Sequence, residues 1–551
     1  MTSRPLVPAA IARGTNGAVV APHHLATAAG LGVLRSGGNA IDAAIATNAV
    51  LAVVMPNGCG IGGDAFWLIW SEADGRVAGL NGSGRSGATA SAGELRASGL
   101  DRLPRRGPRT ITVPGAVRSW ADAHARFGRL PPDALLAPAI ELAEGGFAAW
   151  DGFVEAVERT QAFLPDAGVD DGFERVFRPN GRAWRRGERV RFPALAATLR
   201  RLATRGLGDF YEGELAERQA RALAAAGSAI GTDDLRAHAS TWTDPIGIDY
   251  RGVADLTHAP NSSGIVGLEI LALLGRFDPP SPAAFGPDGP ADPHWAHLGI
   301  EASKLAMADR DRWLCDPDHA GVPVARLLDE AYAADLASRI DHRRAAPAPA
   351  AAVPRGGGTI YLAVVDGEGN AVSLIESNYS GFGSLVVDPE TGIHYQNRGS
   401  YFSLDPGSPN VLAPRKRPLH TLMPAMLLRD GRPWVVTGSM GGDAQPQVHA
   451  QVVSALVDGG VDVATAVGAP RWFVEPADHF EPPVEVRAEP RFASGILDAL
   501  RSLGHPVTEL AAFDSTVGHA HAIELVDGGP AAGGSLAAAT DPRSNGLPAA
   551  W

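Results

Sequence analysis

The stretch from Arg355 to Ser377 reads RGGGTIYLAVVDGEGNAVSLIES and places three glycines before a threonine that begins a β-hairpin. From Thr359 to Val365, apolar residues fill both faces of a predicted strand, and residues 366–370 have the composition of a turn. Residues 371–376 then form the returning strand. A strand needs no glycine-rich segment in front of it, so the three glycines require another explanation.

Composition excludes several classes of protein. The 551 residues are 45% apolar and 20% charged, with a net charge of −13. These values are typical of a soluble globular protein and give no reason to expect nucleic-acid binding. Cys59 and Cys315 lie far apart, so neither a disulfide framework nor a zinc knuckle is expected. No apolar run reaches the ~18 residues of a membrane span, and the N-terminal residues lack a signal-peptide core, so we expect a cytoplasmic protein without membrane association.

The clearest helical pattern begins after Asn39, a residue suited to capping a helix. Residues 40–54 are alanine-rich and apolar around most of the circumference, which predicts a buried helix. The glycine-rich turn that follows contains GIGGD and lacks the Gly-Lys-Ser/Thr ending of a phosphate loop. Further helices are predicted within 119–143, 192–226, 294–313 and 447–457, and further strands at 65–70, 250–259, 433–437 and within 483–525.

Two groups of residues have features of a metal site. The run DRDRWLCDPD, residues 309–318, could supply calcium ligands, but its alternating arginines and the missing EF-hand glycine and glutamate favour a salt-bridged helix end. His519 and His521 share a strand face, but no third ligand is evident. The sequence therefore predicts no metal site.

Proline, alanine and glycine dominate residues 343–358, RRAAPAPAAAVPRGGG, and form the sharpest compositional boundary in the chain. Such a segment cannot bury enough apolar surface to fix its own conformation, which predicts a mobile linker. The linker ends directly before Thr359. It would let an upstream chain end move away if the bond before this threonine were cut.

Thr359 has a chemical reason to stand after such a linker. A threonine hydroxyl is a poor nucleophile unless a base lies beside it, and a threonine at a chain terminus can use its own α-amine. That amine has a reference pKa of about 7.7–8.0, so much of it is neutral near physiological pH. Glycines before the bond allow the hydroxyl to approach the preceding carbonyl. On these residues alone, a plain flexible entry to the strand remains the alternative.

Six segments, in order, resemble the γ-glutamyltranspeptidase family of N-terminal nucleophile hydrolases, over roughly residues 17–472. They are SGGNAIDAAIATNAVLAVVMPNGCGIGGDAF, RTITVPGAVRSW, YRGVADLTHAPNSSGIVGLEIL, EASKLAMADRDRWLCDPDH, Thr359 with VVDGEGNAVS, and KRPLHTLMPAMLLRDGRPWVVTGSMGGD. The ordered set is far more specific than any one of its members.

The resemblance implies an α+β fold, a four-layer αββα sandwich. It also implies a precursor that is cut between Gly358 and Thr359 into a large chain, 1–358, and a small chain, 359–551. The two chains are expected to stay together in one composite fold, and a dimer of these heterodimers is left open. Thr359 would be both the group that cleaves the precursor and the nucleophile of the enzyme.

Further roles transfer by the same resemblance. Gly441 and Gly442 match the paired glycines whose backbone N–H groups form an oxyanion hole. Ser377 matches a hydroxyl residue that hydrogen-bonds the nucleophile, and a plain strand serine is the alternative. The family chemistry requires no metal or organic cofactor, and its partner is a small amide substrate.

Several substrate-binding positions depart from the γ-glutamyl transferases. Arg85 is displaced by about two residues from the family's carboxylate-binding arginine, whose aligned place is Ser83. The family's glutamine and acidic pair become Arg398, Ser400 and Tyr401. His420 and Thr421 replace a serine pair. The asparagine expected at Tyr379 stands one place earlier, as Asn378. The predicted substrate-binding residues are Arg85, Asn378, Arg398, Tyr401, His420 and Thr421.

These departures favour a substrate with a carboxylate and no free α-amine. Losing the acidic pair removes the partner of a substrate ammonium, whereas Arg398 adds a planar donor suited to a carboxylate. The pattern resembles the family branch of oxamate amidohydrolase and cephalosporin acylase-like enzymes, so oxamate and glutaryl-type amides are the predicted substrates. Three alternatives remain: a glutathione hydrolase or γ-glutamyl transferase, an unprocessed and inactive scaffold protein, and a polyglutamate depolymerase.

Overall fold

Two antiparallel seven-stranded sheets form the centre of the protein in a computed structural model that describes residues 10–347, 358–478 and 481–551. The first sheet, called the hairpin sheet below, contains, in spatial order, Ala549–Ala550, Ala18–Val20, Gly358–Val365, Ala371–Tyr379, Asp64–Ser71, Arg76–Gly82 and Thr241–Thr243. The facing sheet contains, in spatial order, Ile11–Gly14, Ser535–Thr540, His519–Val526, Arg432–Met440, Ala425–Arg429, Val253–Thr257 and Ile246–Tyr250.

The predicted hairpin is confirmed, and it lies inside the hairpin sheet. Every residue of Gly358–Val365 is buried. Tyr361 and Val365 pack between the two sheets with Met426 of the facing sheet, whereas Leu362 packs with helices on the outer side. A strand covered on both faces must be apolar on both faces, which explains the unbroken apolar run in the sequence.

Helices cover the outer face of each sheet and complete the predicted αββα sandwich. The longer helices on the side of the hairpin sheet are His24–Arg35, Ala40–Val54, Ala116–Phe127, Pro132–Gly145, Asp151–Thr160, Pro193–Arg205 and Glu214–Ala226. Those on the side of the facing sheet are Gly264–Leu274, Pro293–Trp313, Glu330–Ala337, Gln445–Val457 and Val463–Gly468. A smaller sheet of Trp472–Asp478, Glu481–Ala488 and Val507–Glu509 packs with helix Ile496–Ser502 beside them.

The predicted helix cap is confirmed, and one predicted strand begins too early. Asn39 accepts hydrogen bonds from two backbone N–H groups of the buried helix Ala40–Val54, whose Asp42 bonds back to the cap. The strand predicted at 250–259 covers only Val253–Thr257, because Arg251 and Gly252 adopt positive φ angles of 55° and 83° and turn the chain.

The predicted linker is anchored at its upstream end. Ala345 N donates to Leu503 O (2.8 Å), and Lys304 Nζ donates to Ala346 O (2.9 Å). These hydrogen bonds attach the first part of the predicted linker to Leu503 and Lys304, and the mobility of the linker stays a prediction. Residues 348–357 of the predicted linker lie outside the described residues. Among the described helices, none has the length and apolarity to cross a membrane.

Candidate active site

Thr359 lies in a row of polar side chains that crosses three neighbouring strands. The strand register pairs Thr359 with Ser377, and Ser377 with Asp64. All three are buried, and Thr359 is only 3% exposed. Thr359 Oγ1 lies 2.9 Å from Ser377 Oγ, which donates a 2.6 Å hydrogen bond to Gly358 O. The hydroxyl predicted to be the nucleophile therefore meets Ser377 beside the carbonyl of the predicted cleavage site.

Gly358 is held in a position that a larger residue could not occupy. The strand pairing shifts register between Gly358 and Thr359, which forms a bulge at this bond. A Cβ at Gly358 would lie 2.5 Å from Ser380 O. Close backbone packing thus explains the last of the three glycines.

Arg398 lies directly beside Ser377 and is fully buried. Its Nη2 donates to Ser377 Oγ (3.2 Å) and its Nη1 to Thr421 Oγ1 (3.0 Å). The guanidinium carbon lies 4.5 Å from the ring centre of Tyr379 and 5.5 Å from that of Tyr401. Burial lowers the pKa of Arg398 from its ordinary value, against the opposing effect of nearby acidic groups.

The guanidinium of Arg398 has an N–H group and a positive charge that are available to bind an anion. Among the described residues, no carboxylate forms an ion pair with it within 4.0 Å, and Nε has no hydrogen-bond partner. A buried positive charge without an ion-pair partner is costly, so an incoming carboxylate would be favoured here.

Asp64 is the buried acid on the other side of Ser377. Its Oδ1 accepts from Gly84 N (3.0 Å), and its Oδ2 accepts from His420 Nε2 (3.2 Å). Burial raises the pKa of Asp64 to about 7, against the opposing effect of the positive charge of Arg398. Burial lowers the pKa of His420 well below its ordinary value, so this imidazole is neutral.

Contacts between the two sheets show how the strand that contains Thr359 is aligned with the strand Arg432–Met440, which ends just before Gly441. Ser373, which pairs with Ala363 beside it, donates to Thr437 O (3.3 Å). A Cβ at Gly438 would lie 2.4 Å from the ring of Tyr361. Residues nearer the start of the strand Gly358–Val365 thus face residues nearer the end of the strand Arg432–Met440.

Thr359 therefore lies toward the same end of the sandwich as the Gly441–Gly442 turn. This turn follows Met440 directly, with φ angles of 151° at Gly441 and 57° at Gly442. Both angles lie in the region that favours glycine. Backbone N–H groups at such a turn can converge on one oxygen atom, as an oxyanion hole requires.

Asp443 connects this turn to the surroundings of Arg398. Its Oδ2 accepts from Tyr401 Oη (2.9 Å), and its Oδ1 lies 2.6 Å from Arg310 Nη1. The ring of Tyr401 lies 4.6 Å from that of Tyr379. Burial raises the pKa of Asp443, against the opposing charge of Arg310.

The structure joins most of the predicted site residues and separates two of them. Short polar contacts and ring contacts link Thr359, Ser377, Arg398, Thr421 and Tyr401. His420 directly precedes Thr421 and bonds to Asp64. In contrast, Arg85 is partly exposed and pairs with Asp318 (3.4 Å). Asn378 lies at the bulge, and its Nδ2 is 2.8 Å from His394 Nε2. Among the described residues, neither side chain has a hydrogen bond to the cluster around Arg398, so their predicted binding roles gain no support from hydrogen bonds.

Sequence reasoning missed the two acids of the site. Asp64 and Asp443 are each the last residue of a Gly-Gly-Asp tripeptide, which the sequence contains at these two places. The repetition was the available signal, because glycines let a backbone approach a site closely while the acid that follows points into it. Nothing in the sequence pattern marked Arg310 as the partner of Asp443.

One group outside this site has the geometry of metal ligands. His297, Glu301 and His505 are buried, with ligand atoms within 4.8 Å of one another. However, Lys304 Nζ lies 2.7 Å from Glu301 Oε1. This ammonium already supplies the positive charge that a metal would bring.

Comparisons with known proteins agree with the observed fold. The family model described as Gamma-glutamyltranspeptidase matches residues 26–551. The chain is 40% identical over 551 residues to the oxamate amidohydrolase proenzyme of Klebsiella pneumoniae, covering 98% of this chain and 99% of the relative. It is 39% identical over 534 residues to the glutathione hydrolase-like YwrD proenzyme of Bacillus subtilis, covering 97% and 98%.

A solved structure is similar over the whole chain. The cephalosporin acylase from Bacillus halodurans superposes with a TM-score of 0.91 at 37% identity, covering 100% of this chain and 99% of that one. The family model spans most of the chain, and the relatives match it almost from end to end. The chain therefore belongs to the gamma-glutamyltranspeptidase family.

Proposed function

We propose that this protein is an amidohydrolase of the N-terminal nucleophile kind, which becomes active when the bond between Gly358 and Thr359 is cut. The observation that carries the proposal is the contact of the Thr359 hydroxyl with Ser377, beside the buried guanidinium of Arg398. The relatives support a precursor, since two of them are named proenzymes. The cut would give a large chain, 1–358, and a small chain, 359–551.

Turnover would proceed through an acyl-enzyme. The free α-amine of Thr359 takes the proton of its own hydroxyl, and the hydroxyl oxygen attacks the carbonyl carbon of the substrate amide. Backbone N–H groups of Gly441 and Gly442 hold the oxyanion. The leaving amine or ammonia departs with a proton from the same α-amine, and water then hydrolyses the ester on Thr359.

The proposed substrate is a small amide that carries a carboxylate. Arg398 can receive that carboxylate, because its buried guanidinium has no ion-pair partner among the described residues. Oxamate is the smallest amide of this kind, and one relative is named an oxamate amidohydrolase. Glutaryl-type amides are the larger members of the class, in keeping with the similarity to a cephalosporin acylase.

Glutathione hydrolysis is the second candidate, and one observation favours it. The family's acidic pair is missing at Ser400 and Tyr401, yet Asp443 supplies a carboxylate that bonds to Tyr401. Arg310 already pairs with that carboxylate, which leaves less charge for a substrate ammonium.

The proposed function is tested with three amides and one mass measurement. We expect Thr359 as a new N-terminus in purified protein, and faster ammonia release from oxamate than from oxamide by about 10-fold or more in kcat/KM, because only oxamate offers a carboxylate to Arg398. Faster glutamate release from glutathione would favour the second candidate. A single 57.1 kDa band in aged protein would instead favour the inactive scaffold.

The pH dependence of substrate binding gives a separate prediction. We expect the KM for oxamate to rise as the pH increases through about 7, because burial raises the pKa of Asp64 to about 7. Below this pH the protonated Asp64 leaves the charge of Arg398 to the substrate, whereas the ionised Asp64 competes for it. His420 does not add a charge in this range, since its pKa lies well below its ordinary value.

The matched variant is Asp64→Asn, whose KM for oxamate should stay low and lose this dependence. The KM for oxamide should change little with pH in both proteins. A free α-amine has a reference pKa of about 7.7–8.0, and its protonation at Thr359 would affect kcat and not the affinity for the carboxylate. A KM that rises equally in the variant would contradict this role of Asp64.

A further inference from the structure

The hydroxyl of Ser377 has more polar neighbours than it has hydrogen-bonding positions. Tyr379 N lies 2.7 Å from Ser377 Oγ, and Arg398 Nη2 lies 3.2 Å from it. Gly358 O lies 2.6 Å away and Thr359 Oγ1 lies 2.9 Å away. A serine hydroxyl offers one proton and two lone pairs, so the four neighbours must be assigned to three positions.

The chemistry of the neighbours settles this assignment. Tyr379 N–H and the guanidinium of Arg398 can only donate, and together they occupy both lone pairs. Gly358 O can only accept, so it takes the single proton of Ser377. The carbonyl of the bond to be cut thus receives a short hydrogen bond from a hydroxyl whose oxygen is itself held by a cation, and such a chain of bonds strengthens the last donor.

We propose that Arg398 is a positioning residue for cleavage of the precursor, because its guanidinium holds and polarises the Ser377 hydroxyl that stabilises the oxyanion on Gly358. The inference rests on the proposed function, since it requires the bond between Gly358 and Thr359 to be the one that is cut. It adds a second task to a residue proposed above to bind the substrate carboxylate. Both tasks use the positive charge of Arg398, which would act directly on the substrate carboxylate and through Ser377 on the oxyanion.

The cleavage step balances without a further reactant except water. Thr359 Oγ1 attacks the carbonyl carbon of Gly358, and the carbonyl oxygen becomes the oxyanion bonded to Ser377. The bond from that carbon to Thr359 N then breaks, the former hydroxyl proton ends on the departing amine, and an ester joins the Gly358 carbon to Thr359 Oγ1. Water hydrolyses the ester and gives a carboxylate at Gly358, a free hydroxyl and a free amine at Thr359.

The test follows the full-length chain after a short cell-free synthesis, on denaturing gels over time. Arg398→Ala is expected to lengthen the half-time of cleavage about 10- to 100-fold, the range for losing a hydrogen bond from a charged donor. Low millimolar guanidinium, which can enter the space left by the side chain, should restore much of the rate. Ser377→Ala should also be slow, without rescue, and the double variant should be no slower than Ser377→Ala alone.

Arg417→Ala is the matched control. Arg417 is also buried (3% exposed), and it bonds to Ser83 O and Thr241 without a hydrogen bond to Ser377. Its variant should cleave at nearly the wild-type rate, and its thermal unfolding shows how far the loss of a buried arginine destabilises the fold.

Three outcomes would overturn the inference. Cleavage of Arg398→Ala within about twofold of wild type would do so while leaving the proposed function intact. Equal slowing of Arg398→Ala and Arg417→Ala, without rescue by guanidinium, would assign Arg398 a structural role only. A wild-type chain that is never cut at Thr359 would remove the proposed function and this inference with it.

Discussion

Replacing Thr359 with alanine is expected to leave a single chain of about 57.1 kDa with no measurable amidase activity. The variant lacks the hydroxyl that attacks Gly358, so no new amine forms. It also lacks the nucleophile of turnover, and removing a nucleophile can reduce kcat by about 10⁶-fold. Intact mass and ammonia release from oxamate measure the two losses separately.

Two variants control for the loss of a buried hydroxyl. Thr359→Ser keeps a hydroxyl at the same place and should still be cut. Thr257→Ala removes another fully buried threonine hydroxyl, one that donates to Pro424 O (2.9 Å) in the facing sheet. It should be cut and active, with lower thermal stability. A normal cut before residue 359 in the Thr359→Ala variant would show that Thr359 is not the group that cleaves the precursor.

Gly441→Ala is expected to lower kcat about 10²- to 10³-fold with little change in KM. Its φ of 151° is a conformation that alanine rarely adopts, so the turn must change and carry its N–H groups away from the oxyanion. Losing one oxyanion donor costs about this factor. The effect is not a matter of space, since a Cβ there would meet no atom nearer than 3.5 Å. Steady-state kinetics on oxamate give kcat and KM.

Gly460→Ala is the matched control for backbone strain. Gly460 has a φ of 62°, and a Cβ there would meet nothing within 4 Å. This variant should lose some thermal stability and keep its kcat. If Gly441→Ala retained kcat within a few-fold of wild type, the proposed oxyanion role of this turn would be wrong.

Local patterns in the sequence predicted individual elements of the fold. The helix at Ala40–Val54, its Asn39 cap and the hairpin after Gly358 were predictable because neighbouring residues determine them. The four-layer arrangement followed from the family resemblance and not from periodicity. Each sheet mixes strands from distant parts of the chain, an order that no short pattern encodes.

The candidate site was predictable only in part, for the same reason. Ser377, Arg398 and His420 were predicted through the family resemblance, whereas Asp64 was not. Asp64 meets His420 across 356 positions of sequence, a contact that no local pattern encodes. Arg85 and Asn378 were predicted although each is displaced from its aligned place, at Ser83 and Tyr379. A displaced residue need not reach the same site, since one residue of displacement on a strand turns a side chain to the opposite face.

The interleaving of the two sheets has a consequence for the mature enzyme. Each sheet contains strands that precede Gly358 and strands that follow it. Once the backbone is cut, neither product can fold alone into a complete layer, and an unfolded enzyme must find its other half by diffusion. Refolding, which is unimolecular for the uncut chain, then depends on protein concentration. An enzyme that has been cut and then unfolded would therefore regain its native structure less readily than the uncut chain, because two separate chains must associate.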